Sequence, residues 1–154
     1  MHFPQPAGNR QIALFGPLAH ASHSHWDAPA TSHTPPAQAF SEIALHASSG
    51  NRLQLLGAIL RELSLAADGR WLTLVAPPAS VTREWLCIAG INREAILLLL
   101  PRNGRRALDL ACETLRLGRS HTVVSWLELQ ASERALVSRA ADQGQSQSLN
   151  IRLR

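Results

Sequence analysis

Several side chains in this sequence have types and spacings that could support chemistry. Ser120 and His121 are adjacent, Cys87 lies within a short expected helix, and Asp109 and Glu113 are four residues apart. A serine or cysteine near a histidine could act as a nucleophile with its base, and two neighbouring carboxyl groups could act as acid and base. These residue types would fit a small hydrolase, if the sequence around each of them matched a known catalytic pattern.

None of these patterns supports an enzyme well. The segment around Ser120, residues 118–122, lacks the second glycine of G-x-S-x-G and precedes an expected strand, whereas a nucleophile elbow follows one. Cys87 is explained more simply as a small apolar residue. Asp109 and Glu113 lie among arginines at spacings of three or four, which is typical of a solvated and mutually paired helix face. Those arginines are Arg105, Arg106 and Arg116.

Residues 1–38 differ in composition from the rest of the chain. They contain six of the nine prolines and five of the seven histidines, amid Ser and Ala, without a sustained period of 2 or 3.6 residues. This composition predicts a flexible N-terminal tail, followed by one domain over residues 39–154. His20, His23 and His25 are close together, but their spacing is not that of a metal site, so we expect no metal and no cofactor.

The overall composition is that of one soluble globular domain. The chain has 154 residues, of which 45% are hydrophobic and 17% charged. Its net charge of +4 comes with fifteen arginines and no lysine, which is modest for a nucleic-acid-binding protein. Two cysteines without C-x-x-C spacing, and no apolar run long enough to span a membrane, predict a cytoplasmic protein.

From Phe40 onward, short apolar runs alternate with helical patterns. Strands are expected at residues 40–47, 71–76, 95–101 and 121–127, with helices between them. The pattern predicts an α/β fold in which a mostly parallel sheet has helices on both faces. The final segment, residues 149–154, alternates apolar and polar residues and is predicted to be an edge strand, so a homodimer that pairs through it is possible.

Two helix starts are predicted from capping residues. Thr82 is expected to cap a short helix over residues 82–89, with Glu84 in its first turn. Asn103 is expected to cap a longer helix that continues to Gly118. The first of these helices follows the loop at residues 76–82.

That loop, with the sequence APPASVT, occupies the position where α/β proteins hold phosphate. It contains no glycine and no lysine, and its two prolines remove two backbone N–H donors. We therefore expect no nucleotide site of the usual kind there. The flanking residues instead suggest a binding surface, because Trp and Arg are enriched at energetically dominant interface positions. Spacing alone leaves open whether Trp85 packs inward with Ile88 and Ala89 or is itself exposed.

The segment RWLTLVAPPASVTREWLCIAGI, followed by an apolar strand and then ETLRLGRSHTVVSWL, resembles the family of the SOS cell-division inhibitor SulA. The similarity extends from about Phe40 to the end of the chain. It rests on Arg70-Trp71, Arg83-Glu84-Trp85, Gly90 and a Leu-Arg-x-Gly…Val-Val-x-Trp-Leu pattern at residues 115–127. The resemblance implies a RecA-like α/β domain that has lost its ATP site, which agrees with the independent interpretation of residues 76–82.

The resemblance also implies a function without catalysis. Such a protein is made after DNA damage, binds the tubulin-like GTPase FtsZ, and blocks polymerisation by covering the face that carries the GTPase-completing loop. It is removed by the Lon protease. The residues that correspond to the family's inhibitory surface are Arg70, Arg83, Trp85 and Arg93, with Val75 and Leu86 supporting it.

Two alternatives remain at this stage. One is a DNA-repair accessory protein with an inactive RecA-like domain, in which arginines contact phosphate. The other is a small hydrolase that uses Cys87 or Ser120. The arginines of the first alternative are Arg102, Arg105, Arg106, Arg116 and Arg119.

Overall fold

A computed structural model describes residues 38–66 and 68–154, which form five parallel strands and four α-helices. The predicted tail at residues 1–38 lies outside the described residues, except for Gln38. None of the helices in the described part of the chain is long and apolar enough to cross a membrane. The predicted α/β fold with a parallel sheet is confirmed.

The elements alternate along the chain, and the strand order in the sheet is β1-β5-β4-β2-β3. A short 3₁₀ turn at Arg93–Ala95 precedes β3. The bounds are β1 Phe40–Leu45, α1 Ser49–Ser64, β2 Trp71–Val75, α2 Arg83–Ile88, β3 Ile96–Leu99, α3 Ala107–Arg116, β4 Ser120–Ser125, α4 Ala131–Gly144 and β5 Gln147–Leu153.

The two faces of the sheet have separate cores because side chains alternate along each strand. In β2, Leu72 and Leu74 point to the front face, where they pack with buried leucines of α1 and α2. Val75 points to the back face and packs with α3 and α4. Two helices thus cover each face, as the apolar strands predicted.

The last strand is not at an edge, and the prediction that placed it there is wrong. β5 pairs with β1 on one side and with β4 on the other, so the edge strands among the described residues are β1 and β3. The polar residues that suggested an edge have partners inside the sheet: Asn150 is fully buried, and Arg152 pairs with Glu42. The last strand therefore cannot supply the contact of the homodimer suggested above.

The start of α3 also differs from the prediction. Asn103 and Gly104 have φ angles of 55° and 71°, and the N–H of Arg105 donates to the carbonyl of Arg102 at 3.1 Å. These residues form a tight Asn-Gly turn of the kind that needs two positive φ angles. The helix consequently begins later, at Ala107, and Asn103 is not its cap.

The side-chain amide of Asn150, in the middle of β5, joins β1 to the carboxyl end of β4. Its Oδ1 accepts from the Ser125 hydroxyl at 3.0 Å and from the Leu127 N–H at 2.9 Å. Its Nδ2 donates to Glu42 Oε2 at 3.0 Å and to the Leu127 carbonyl at 2.8 Å. Both donors and the acceptor oxygen of the amide are therefore used, as burial of a polar group requires.

Glu42 extends this network to two arginines. Its Oε1 lies 3.0 Å from a guanidinium nitrogen of Arg134 and 3.4 Å from one of Arg152. Burial pushes the pKa of Glu42 upward, but the Asn150 amide and the two guanidinium groups outweigh it, so the pKa lies below its ordinary value. The ionised carboxylate thus holds β1 to both β5 and α4.

We expect Asn150→Ala to lower the free energy of unfolding by about 2–4 kcal/mol, because it leaves the Leu127 N–H and one Glu42 oxygen without a partner. Urea denaturation would measure the loss. Gln147→Ala is a matched control, since Gln147 is exposed in the same strand. If both variants lost a similar free energy of unfolding, the hydrogen bonds of Asn150 would not be a main source of stability.

Candidate partner-binding surface

The carboxyl ends of β2 and β4 form the crevice where a ligand would lie in an open parallel sheet. The two strands are neighbours, and the chain leaves β2 toward α2 on the front face but leaves β4 toward α4 on the back. Such a divergence of neighbouring connections is the usual ligand-binding position of α/β sheets. The loop after β2 therefore decides whether a phosphate could be held there.

Two backbone N–H groups of that loop already donate to carbonyl groups of the protein. Ala76 has a φ of 50°, and its N–H donates to the Leu99 carbonyl at 2.9 Å. Pro77 and Pro78 have no N–H, and the N–H of Val81 donates to the Pro78 carbonyl at 2.9 Å. A phosphate would thus meet a closed turn, which agrees with the interpretation of the sequence. What the junction does provide is the start of α2.

The helix α2 is short and is fixed at both ends. The Thr82 hydroxyl accepts from the N–H of Trp85 at 3.1 Å, which confirms the predicted cap. At the other end, the guanidinium of Arg61 in α1 donates to the carbonyl of Ala89 through Nη2 at 2.7 Å and Nε at 3.1 Å. Sequence reasoning missed this second clamp, because Arg61 lies 28 residues away and has no local signal.

Trp85 packs inward, and Ile88 faces solvent. The indole lies against α1 at Gly57, where a Cβ atom would come within 3.6 Å of Trp85 Cζ2 and of Ala89 Cβ. Trp85 is only partly exposed, whereas Ile88 is 85% exposed. The question that spacing left open is therefore answered: Trp85 and Ala89 face α1, and Ile88 does not accompany them.

Three of the predicted site residues line one groove between α2 and the edge strand β3. Arg83, Leu86 and Arg93 border this groove, which has a volume of about 410 Å³, together with Glu94 and apolar residues of β3. Leu86 is 2% exposed and forms the floor, while both arginines are exposed. With Trp85 on the other side of the same helix, four of the six predicted residues lie in or beside α2.

The structure places the other two predicted residues elsewhere. Arg70 lies at the amino-terminal end of β2, where its guanidinium donates to Asp68 Oδ2 at 2.8 Å and to the carbonyl of Gln145 at 2.8 Å. It therefore holds the end of α4 and is not part of the groove. Val75 is fully buried on the back face, where it packs with α3 and α4 and not with α2.

The residues considered for catalysis are not arranged for it. Ser120 is 1% exposed, and its hydroxyl lies 2.6 Å from the hydroxyl of Thr73. The Nδ1 atom of His121 is 3.0 Å from Thr122 Oγ1, and Cys87 lies on α2. The described residues contain no group of three or more His, Cys, Asp or Glu that could hold a metal ion. The histidines at 20, 23 and 25 lie outside the described residues.

The ion pairs expected within α3 at spacings of three or four residues are not found: Glu113 pairs with an arginine eight residues away, and Asp109 has no ion pair among the described residues. Glu113 forms an ion pair with Arg105, and Glu133 of α4 lies 2.8 Å from a guanidinium nitrogen of Arg106. All four residues belong to the back face of the protein. The two arginines of the groove differ from them, because neither Arg83 nor Arg93 has a carboxylate within 4.0 Å among the described residues.

Comparisons with known proteins agree on one family. A family model for the cell division inhibitor SulA matches residues 39–148. The chain is 59% identical over 128 residues to the cell division inhibitor SulA of Pseudomonas aeruginosa, covering 82% of this chain and 80% of that protein. It is 24% identical over 152 residues to the SulA of Klebsiella pneumoniae, covering 97% and 86%. The crystal structure of Pseudomonas aeruginosa SulA matches with a TM-score of 0.73 and 62% identity, covering 77% of this chain and 100% of that one.

His121 is a buried titratable side chain that does not line the groove, and it provides a test of the packing around it. It is 7% exposed at the start of β4. Burial lowers the pKa of the imidazole, Arg70 lowers it further, and the Asp68 carboxylate partly opposes the shift. The folded protein therefore binds a proton at His121 less readily than the unfolded chain does.

We expect the melting temperature to fall as the pH falls from about 7.5 to about 5.5, because the stability that neutral His121 contributes is lost below its ordinary pKa of about 6.5. The fall should be smaller in His121→Gln and unchanged in His46→Gln, since His46 is exposed. Thermal melts followed by circular dichroism would measure it. The carboxyl groups of Glu42 and Asp68 titrate lower, because their pKa values are lowered from 4.5 and 3.8. An unchanged slope in His121→Gln would contradict this account.

Proposed function

The chain belongs to the SulA family of cell division inhibitors, and we propose that it acts by binding FtsZ and preventing FtsZ polymerisation. The observation that carries the proposal is the exposed surface of α2. It combines guanidinium groups that have no carboxylate within 4.0 Å among the described residues with apolar side chains along the edge strand β3. A surface of this composition is suited to binding another protein.

The proposed mechanism is occlusion. The inhibitor covers the FtsZ face that carries the loop completing the GTPase site of the neighbouring subunit. A subunit capped in this way can neither receive the next subunit nor complete its GTPase site. This requires only stable binding by a rigid body, so the inhibitor acts stoichiometrically and needs no catalytic group of its own.

The arginines of the groove are suited to the first stage of such binding. Arg83 and Arg93 are exposed and have no carboxylate partner within the described residues, so forming a new ion pair would not break an existing one. Exposed charges at the rim of an interface mainly raise the association rate and make it sensitive to salt. We therefore assign Arg83 and Arg93 to steering and orientation.

The setting follows from the same proposal. The protein would act in the cytoplasm, where FtsZ is found, after induction by DNA damage, and the Lon protease would remove it once repair is complete. The alternative role as a DNA-repair accessory protein has less support, because Arg105 and Arg106 of its proposed phosphate-binding surface are paired with Glu113 and Glu133. A self-association of the inhibitor remains a prediction.

We expect the wild-type protein to abolish the light-scattering signal of FtsZ with GTP at about equimolar inhibitor, using FtsZ from the bacterium that encodes this chain. Arg83→Ala should weaken inhibition about 5–30-fold, which corresponds to about 1–2 kcal/mol, without lowering the melting temperature. Arg139→Ala is the matched control, because Arg139 is an exposed arginine on α4 of the back face.

Two outcomes would contradict these assignments separately. If excess wild-type protein left FtsZ assembly unchanged, the proposed function would be wrong. If Arg83→Ala inhibited as well as Arg139→Ala, the function would stand and the assignment of the surface to the α2 groove would be wrong.

A further inference from the structure

We infer that Ile88 is the apolar residue that contacts the partner, and that Trp85 is a positioning residue that holds the helix carrying it. This inference rests on the proposed function and names the part of the surface that supplies most of its affinity. The resemblance to the family placed Trp85 on the surface and assigned no role to Ile88. In the structure, Ile88 is the exposed residue and Trp85 packs against α1.

The first support is the exposure of Ile88. It is 85% exposed, more than any other large hydrophobic side chain among the described residues. Burial of an isoleucine side chain is favourable in proportion to the apolar area removed from water, so nearly all of this free energy is still available to a binding partner. A single exposed apolar residue is common on protein surfaces, however, so the contacts around Ile88 must show whether it is suited to binding a partner.

The second support is that Ile88 is held in place before binding. It ends a six-residue helix whose start is capped by Thr82 and whose end is clamped by the Arg61 guanidinium at the Ala89 carbonyl. Leu86 fixes the helix to the front core. A side chain on a helix fixed at three points loses little further freedom on binding, which lowers the entropic cost.

The third support is the role of Trp85. Its ring lies in a second groove, between α1 and α2, which Ile88 borders at its outer side. Because Gly57 has no side chain, the indole can lie close to α1, and α2 is then turned so that Ile88 faces outward. Trp85 therefore sets the orientation of Ile88 through packing, and its own ring is largely used within the protein.

The charges on the exposed sides of α2 indicate the chemistry of the partner. Arg61 lines the same groove as Ile88, and Glu84 is exposed one helical turn before it. The groove on the other side of α2 has two guanidinium groups, those of Arg83 and Arg93, and one carboxylate, that of Glu94. The fitting surface has an apolar pocket for Ile88 and at least one carboxylate beside it for the guanidinium groups. We assign this pattern to the FtsZ face that is covered in the proposed mechanism.

The test compares binding with stability for two residues three positions apart. Ile88→Ala should raise the Kd for FtsZ about tenfold, as measured by isothermal titration calorimetry, and leave the melting temperature of the free inhibitor unchanged. Trp85→Ala should raise the Kd and also lower the melting temperature, whereas Trp85→Phe should keep the Kd within about twofold of wild type. Leu136→Ala, at a 44% exposed leucine of α4, should change neither quantity.

The possible failures can be told apart. If Ile88→Ala bound FtsZ as tightly as wild type, the contact assigned to Ile88 would be wrong while FtsZ binding stood. If Trp85→Ala lost binding at an unchanged melting temperature, Trp85 would be a direct contact and the positioning role would be overturned. If the wild-type protein did not bind FtsZ, this inference would fail together with the proposed function.

Discussion

The amide of Asn150 links β1, β5 and the carboxyl end of β4, beside the point where many α/β proteins keep an open crevice. Because its four hydrogen bonds reach β1, the end of β4 and Leu127 two residues beyond it, these segments cannot separate there without leaving polar groups unpaired. On the neighbouring strand, β2, two prolines and two internal hydrogen bonds close the following loop. The position at the carboxyl ends of the strands that could receive a ligand is thus filled by the protein's own contacts.

This closure changes which groups the helix after β2 can present to a ligand. In a nucleotide-binding relative of this architecture, the helix after β2 would present its first N–H groups to phosphate. Here that helix is only six residues long, and Thr82 occupies the N–H of Trp85. The exposed surface of α2 then consists of side chains, among them Arg83, Glu84 and Ile88. A surface of this composition is suited to recognising another protein.

The sequence was sufficient for the features that depend on neighbouring residues. The parallel α/β fold, the Thr82 cap and the unsuitability of the loop at residues 76–82 for phosphate all follow from local composition and spacing. Strand order was not predictable in the same way. β3 is wholly apolar although it is an edge strand, and none of its side chains is fully buried. β5 contains buried polar residues because Asn150 finds partners across the sheet. Such partners are distant in sequence and leave no local pattern.

The orientation of α2 depends on a residue that is 28 positions away from Trp85. Helical spacing left open whether Trp85 packs inward with Ile88 and Ala89 or is itself exposed. Gly57 decides between them, because the indole packs where a side chain of α1 would otherwise lie. An alanine would still fit there, since its Cβ would make ordinary contacts at 3.6 Å, but a longer side chain would displace the ring. An isolated glycine within a helical pattern was the one sequence signal of this close approach. A small residue at position 57 therefore lets Trp85 lie against α1, while Ile88 stays exposed.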